Sequence, residues 1–306
     1  MVYLSIVVPL LNEETLVTEL IRSIRRSVEE VVKEYEILVI DDGSLDKTWE
    51  LVQNESTEDP RVKGIKFSKN FGHHYAITAG LHEAKGDWVV VMDGDLQDRP
   101  EVIPQLIEEA RKGFDIVFVS RVNRPEKKYY KVLQKIFYSL LRLLSGIKFD
   151  SRQANFSIIN RKVVDAFKDF PENGRFYGTT IRWLGFKRSE ILAQHGSRLS
   201  GKASYTFRKR INLALDIIVA FSDRPLKFVT GFGLSIAFFS TGIFTWIFIQ
   251  AFLFNIQFSE WTILWAALIF STGSVLTVLG VVGIYIGRIF TQVKNRPLYI
   301  ISERTG

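Results

Sequence analysis

The chain has no cysteine, which excludes disulfides and thiolate-bound metals and fits a cytoplasmic catalytic domain. Charge is missing from two long stretches: Phe228 to Phe258 and Trp261 to Gly287 contain no Asp, Glu, Lys or Arg. Each exceeds the roughly 20 apolar residues that cross a bilayer, so two transmembrane helices are expected, at about 228–254 and 261–287. Two such stretches in succession are rare in soluble domains, which weighs against a pair of buried core helices. The connector from Asn255 to Glu260 has no Lys or Arg, whereas Arg208, Lys209, Arg210, Arg224 and Lys227 precede the first stretch and Arg288, Lys294 and Arg296 follow the second. The positive-inside rule therefore places both termini in the cytoplasm, with the protein multi-pass in the plasma (inner) membrane. Met1-Val2-Tyr3-Leu4-Ser5 has no basic region and leads into a strand, so no cleaved signal peptide is expected. Internal repeats and low-complexity tracts are also lacking.

The 306 residues carry a net charge of +7. The basic residues gather beside the charge-free stretches, so anionic headgroups and phosphate-bearing substrates explain them better than nucleic acid does. Before residue 120 the pattern alternates. Apolar, β-branched runs at Leu4 to Pro9, Ile37 to Ile40, Val62 to Phe67, Trp88 to Met92 and Ile116 to Val119 are separated by helical stretches at Glu13 to Lys33, Thr48 to Asn54, His74 to Ala84 and Glu101 to Arg111. That alternation predicts an α/β domain with a mostly parallel sheet and helices on both faces.

Two of those strands end in acidic pairs, Asp41-Asp42-Gly43-Ser44 and Asp93-Gly94-Asp95. On an extended chain residues i and i+2 face the same way, so Asp93 and Asp95 can face one divalent cation while Gly94 lets a ligand approach the backbone. Parallel strands deliver such acids to the ligand-binding edge of an open sheet, which predicts a metal and nucleotide site. Further along, Lys131 to Leu144 places Val132, Ile136, Leu140, Leu143 and Leu144 at helical spacing beside several lysines, and Arg208 to Phe221 repeats the scheme. Both suit helices on a membrane surface, the first equally well a helix packed on the domain. The expected organisation is a cytoplasmic domain over 1–204, including an amphipathic helix at about 131–146, an interfacial helix over 205–225, and a hairpin with a short cytoplasmic tail over 226–306.

Pro9-Leu10-Leu11-Asn12-Glu13, Asp41-Asp42-Gly43-Ser44, Asn70-Phe71-Gly72-His73 and Asp93-Gly94-Asp95-Leu96-Gln97 occur in the order seen in family-2 glycosyltransferases of the Rossmann-like GT-A fold. With the hairpin behind them, the whole chain resembles the polyisoprenyl-phosphate glycosyltransferases related to dolichol-phosphate mannose synthase. The resemblance implies inverting transfer of a sugar from a nucleotide diphosphate to a lipid phosphate. It places Pro9, Asn12, Glu13, Asp41 and Asp42 on the base and ribose, with Asn70, Asp93 and Gly94 completing the nucleotide site. Asp93, Asp95 and Gln97 would hold Mg²⁺ or Mn²⁺, with Asp95 at the catalytic centre. Arg121 and Arg198 match basic positions at the diphosphate and acceptor phosphate, joined there by Lys202 and Ser204. Where many relatives carry Asp, this chain has Asn155, which cannot serve as a base. None is needed, because a phosphate monoester is already mostly ionised near neutrality, and His73, His74 and His195 are read as loop or core residues.

The preferred donor and acceptor by resemblance are UDP-glucose and undecaprenyl phosphate, a reaction of cell-envelope glycosylation. GDP-mannose with dolichyl or another polyprenyl phosphate is the alternative. A polysaccharide synthase, for which Ile181-Arg182-Trp183 is only a motif fragment, and a non-catalytic membrane scaffold are further alternatives. The glycines of Gly283-Ile284-Tyr285-Ile286-Gly287 allow a homo-oligomer.

Overall fold

A computed structural model describes residues 3–121, 153–170, 176–193, 224–254, 259–294 and 296–305. The chain divides into two compact units, one holding the sheet and residues 296–306, the other holding the charge-free helices.

The sheet unit opens as the alternation predicts: β1 (Leu4–Leu10), α1 (Val17–Glu29), β2 (Tyr35–Asp41), α2 (Thr48–Glu58), β3 (Val62–Phe67), α3 (His73–Glu83), β4 (Trp88–Val91), a 3₁₀ turn (Pro100–Val102), α4 (Ile103–Ala110) and β5 (Ile116–Arg121). Beyond these come β6 (Gln153–Asn160), α5 (Arg161–Lys168), α6 (Tyr177–Trp183), β7 (Arg188–Ala193) and β8 (Ile301–Arg304), which periodicity did not reveal. The eight strands pair in the order β7-β5-β6-β4-β1-β2-β3-β8. Strands β4, β1, β2 and β3 run parallel, as do β5 and β7, while β6 and β8 are antiparallel to their neighbours. Alternation sorts each strand between two cores. Ile6 and Val8 of β1 join Leu20, Ile24 and Leu106 on one face. Val7 joins Ala76, Ile77 and Phe167 on the other, as expected for a sheet covered on both sides.

In the second unit, α7 (Arg224–Phe254) and α8 (Glu260–Val293) are helices of 31 and 34 residues that run through the two charge-free stretches. Among the described residues no helix is long and apolar enough to cross a membrane. The amphipathic helix expected at 131–146 and nearly all of the interfacial helix at 205–225 lie outside the described residues.

Candidate active site

The parallel strands all point their carboxyl ends at one edge. Asp41 closes β2 opposite Leu10 of β1 and Lys66 of β3, and the Met92 amide donates to the Val7 carbonyl, carrying β4 toward Asp93 at the same level. Four loops meet there and are laced together by their own polar groups. The Asn12 amide donates to Ser44 Oγ at 2.9 Å, the Leu45 amide donates to Asn12 Oδ1 at 2.9 Å, and the Glu13 amide donates to Thr48 Oγ1 at 2.9 Å. Asn12 adopts φ 53°, in the left-handed region Asn tolerates best among side-chain-bearing residues. Asn12 and Glu13 therefore shape the β1 and β2 loops as well as lining them.

The two acids of the first pair have different roles. Asp42 accepts from the amides of Phe71 at 2.7 Å and Gly72 at 2.9 Å, which clamps the loop between β3 and α3 to the end of β2. Gly43, with φ 76°, permits this: a Cβ there would lie 2.4 Å from the Lys69 carbonyl carbon and 2.6 Å from the Asn70 nitrogen. Asp41 is fully buried. Its Oδ1 accepts from the Ser44 amide at 2.9 Å, whereas Oδ2 has no hydrogen-bond partner among the described residues. Burial raises the pKa of both acids above the usual carboxylate range, against the bonds from Ser44 in one case and from Phe71 and Gly72 in the other. Replacing Asp42 by Ala leaves two backbone donors without their acceptor. It is expected to lower stability by on the order of 1–3 kcal/mol and to weaken nucleotide binding, measured by denaturant unfolding and calorimetry.

The second acidic pair forms a tight turn. The Gln97 amide donates to Asp95 Oδ1 at 3.1 Å, the Asp93 amide donates to Asp98 Oδ2 at 3.3 Å, and Leu96 sits at φ 56° between them. Gly94 was expected to let a ligand approach, and a Cβ there would meet the flexible end of the Leu10 side chain and the Pro9 carbonyl, the latter at 3.1 Å. The missing side chain leaves room for the end of β1. Asp93 and Asp95 are hard oxygen donors within one turn. No group of three or more Asp, Glu or His side chains able to hold a metal is found among the described residues. Two carboxylates nevertheless fit Mg²⁺ or Mn²⁺, ions that take one or two protein carboxylates and complete their shell with substrate phosphates and water.

His73 is the residue that sequence reasoning misplaced. It opens α3, and its Nε2 lies 3.2 Å from Asp93 Oδ1 and 3.2 Å from the Asn155 side-chain amide. Burial opposes its charge, but Asp93, with Asp42 and Asp95 behind it, outweighs burial and holds the imidazole pKa above its ordinary value. A protonated imidazole forms an ion pair with Asp93, and the Asn155 side-chain nitrogen lies beside the same ring nitrogen. The antiparallel strand β6 is what delivers Asn155 to this place. His74 does behave as a core residue. Burial, and secondarily the charge of His73, push it down to about 4, and its ring packs edge-on against Phe176 at 5.2 Å.

Arg121 closes β5, opposite Ala193 of β7, although its side chain is not described. Arg198, Lys202, Ser204 and His195 lie outside the described residues. The fragment Ile181-Arg182-Trp183 falls on α6, where Arg182 stacks over the Phe118 ring at 4.4 Å and bonds the Gly178 carbonyl, a packing role. Asp98, buried and closing the acidic turn, was also missed, since nothing in its spacing separates it from a solvated loop acid.

Comparison with known proteins agrees with this geometry. Residues 5–167 match the model for glycosyl transferase family 2. The chain is 37% identical over 306 residues to an uncharacterized glycosyltransferase, YkcC, of Bacillus subtilis, covering 99% of this chain and 94% of that one. It is 35% identical over 301 residues to the SfII prophage-derived bactoprenol glucosyl transferase of Shigella flexneri, covering 98% and 97%. Among solved structures, glucosyl-3-phosphoglycerate synthase from Mycobacterium tuberculosis, in complex with Mn²⁺, UDP and phosphoglyceric acid, superposes with a TM-score of 0.53 at 20% identity over 72% of this chain and 77% of that one. That likeness establishes the GT-A fold.

Proposed function

Because the chain belongs to glycosyl transferase family 2 and is a glycosyltransferase, we propose that it transfers glucose from UDP-glucose to undecaprenyl phosphate on the cytoplasmic face of the inner membrane. The observation that carries this reading is the assembly of Asp41, Asp42, Asp93, Asp95 and His73 at the carboxyl edge of one sheet, in a chain 35% identical end to end to a bactoprenol glucosyl transferase. The name of that relative favours glucose over the mannose alternative. The family sets aside the non-catalytic scaffold.

The buried, unpartnered Oδ2 of Asp41 suits the N–H edge of a nucleobase. Asp93 and Asp95, with Gln97 beside them, would hold Mg²⁺ or Mn²⁺ against the donor diphosphate. Such an ion, when bound, offsets the negative charge that develops on the departing nucleotide. An ionised oxygen of the acceptor phosphate attacks the anomeric carbon as the bond to the diphosphate breaks, so the configuration inverts and UDP leaves with the bonding electrons. Arg121, Arg198, Lys202 and Ser204 would grip the acceptor phosphate. His73 keeps Asp93 oriented, and Asn155, neutral and bonded to His73, is not a base.

Membrane spanning is part of the proposal. It rests on the sequence, where Phe228 to Phe258 and Trp261 to Gly287 carry no charged residue, and helices of 31 and 34 residues run through these stretches. Large apolar side chains are bare on them; Phe238 is 79% exposed, an arrangement water penalises and lipid does not.

Incubating the full chain with a panel of sugar nucleotides and a short polyprenyl phosphate, and weighing the lipid product, tests the reading. A hexosyl phospholipid formed from UDP-glucose is expected, and a product only from GDP-mannose would replace it. Arg198→Ala is expected to raise acceptor KM or lower kcat by roughly ten- to hundredfold with donor affinity nearly unchanged, and Lys should rescue it only partly because it restores charge without the guanidinium fork. Unchanged acceptor kinetics would remove Arg198 from the site.

A further inference from the structure

We infer that Tyr299, in the segment that follows the hairpin, is a positioning residue for the donor site: through Phe67 it supports the loop that Asp42 clamps. The inference rests on reading that edge of the sheet as the nucleotide site.

The loop from Ser68 to Gly72 is short and hangs between the end of β3 and the start of α3. Strand β8 closes the edge of β3, with Ile65 opposite Arg304 and Lys66 opposite Glu303. The Ser68 amide donates to the Ile300 carbonyl at 3.0 Å, and the Thr305 amide donates to the Gly64 carbonyl at 3.0 Å. The Trp49 indole of α2 donates to Glu303 at 2.9 Å, fixing β8 from a second element. The pairing register shifts at Phe67, and there Tyr299 takes over. Its ring stacks on Phe67 with centroids 5.0 Å apart and 11° between planes. Phe67 in turn meets Phe71 edge-on at 5.7 Å. The Tyr299 hydroxyl also lies 3.2 Å from His82 Nδ1 on α3.

Tyr299 thus touches β3 where the loop begins, and on α3 only the last turn, away from the loop. Through Phe67 it supports Phe71, whose amide, with that of Gly72, bonds Asp42. Removing the ring leaves the chemistry in place but lets the loop relax, so that a bound nucleotide has to order it again. The effect belongs in donor affinity and not in turnover.

The test uses the full chain in detergent, with UDP and UDP-glucose titrated by calorimetry in the presence of Mn²⁺. Tyr299→Ala and the bulk-retaining Tyr299→Leu are expected to weaken nucleotide binding and raise donor KM by roughly three- to tenfold, the scale of a lost aromatic pair. Donor-saturated kcat and acceptor KM should stay within about twofold, and Tyr299→Phe, which keeps the stack, should bind nearly as the wild type does. Glu303→Gln, on the same strand but away from the loop, should leave affinity unchanged. A lower melting temperature with unaltered nucleotide affinity in Tyr299→Leu would reduce the segment to an edge cover and overturn the inference. So would a fall in kcat at constant KM, or a Phe variant as weak as Leu. A wild-type protein that binds neither nucleotide would instead overturn the donor-site reading, and this inference with it.

Discussion

Replacing Asp95 by Asn is expected to lower kcat by on the order of a hundredfold or more while leaving the fold intact, because a metal at a departing diphosphate supplies several kcal/mol of charge stabilisation and one of its anionic ligands becomes neutral. The fold should survive because the bond that Asp95 accepts from the Gln97 amide at 3.1 Å can be accepted equally well by the Asn carbonyl. Initial rates at saturating donor and Mn²⁺, with circular dichroism to check folding, measure this. Near-normal turnover would show that Asp95 does not ligate a catalytic metal and would transfer that role to Asp93 alone.

Asp41→Asn should separate stability from function. Burial holds the Asp41 pKa above that of an exposed carboxylate, and Lys66 and the bonds from Ser44 offset this only in part. The folded state therefore binds more protons than the unfolded state between the two values. Stability falls as pH rises through that window, and at neutral pH the buried charge opposes folding. Removing the charge is expected to keep or raise the melting temperature at pH 7 and to flatten its decline above the ordinary carboxylate range, since a buried amide costs less than a buried carboxylate. Nucleotide affinity should fall by roughly ten- to hundredfold if the unpartnered Oδ2 accepts from the base. A less stable protein with unchanged nucleotide affinity would make Asp41 a purely structural residue. The pair of measurements matters because a group kept against its own stability cost points to a ligand.

The sequence by itself determined the features that depend on near neighbours. The strands from β1 to β5 and the helices between them follow from alternation and helical periodicity within each segment. The acidic pairs had to stand at strand ends because the apolar runs stop there, and β1, β2 and β4 could bring them to one edge because parallel strands share a direction. The lack of charge from Phe228 to Phe258 and from Trp261 to Gly287 was enough to set two long helices.

Tertiary structure decided the rest, because those features depend on partners far away along the chain. Asn155 reaches His73 across 82 positions only because β6 inserts antiparallel between β4 and β5, and no local pattern encodes a strand's choice of neighbour. His73 reads as a loop residue until Asp93 is found beside it. The space beside Gly94 is taken up by the Leu10 side chain, a contact between two strand ends that spacing cannot express. Residues 299–305 look like a short tail after the hairpin, yet their hydrogen bonds to Gly64 and Ser68 make them the edge of the sheet. Pairing across more than 230 positions joins the otherwise open edge of β3 to β8 and the ring of Phe67 to that of Tyr299, partners that no local pattern specifies.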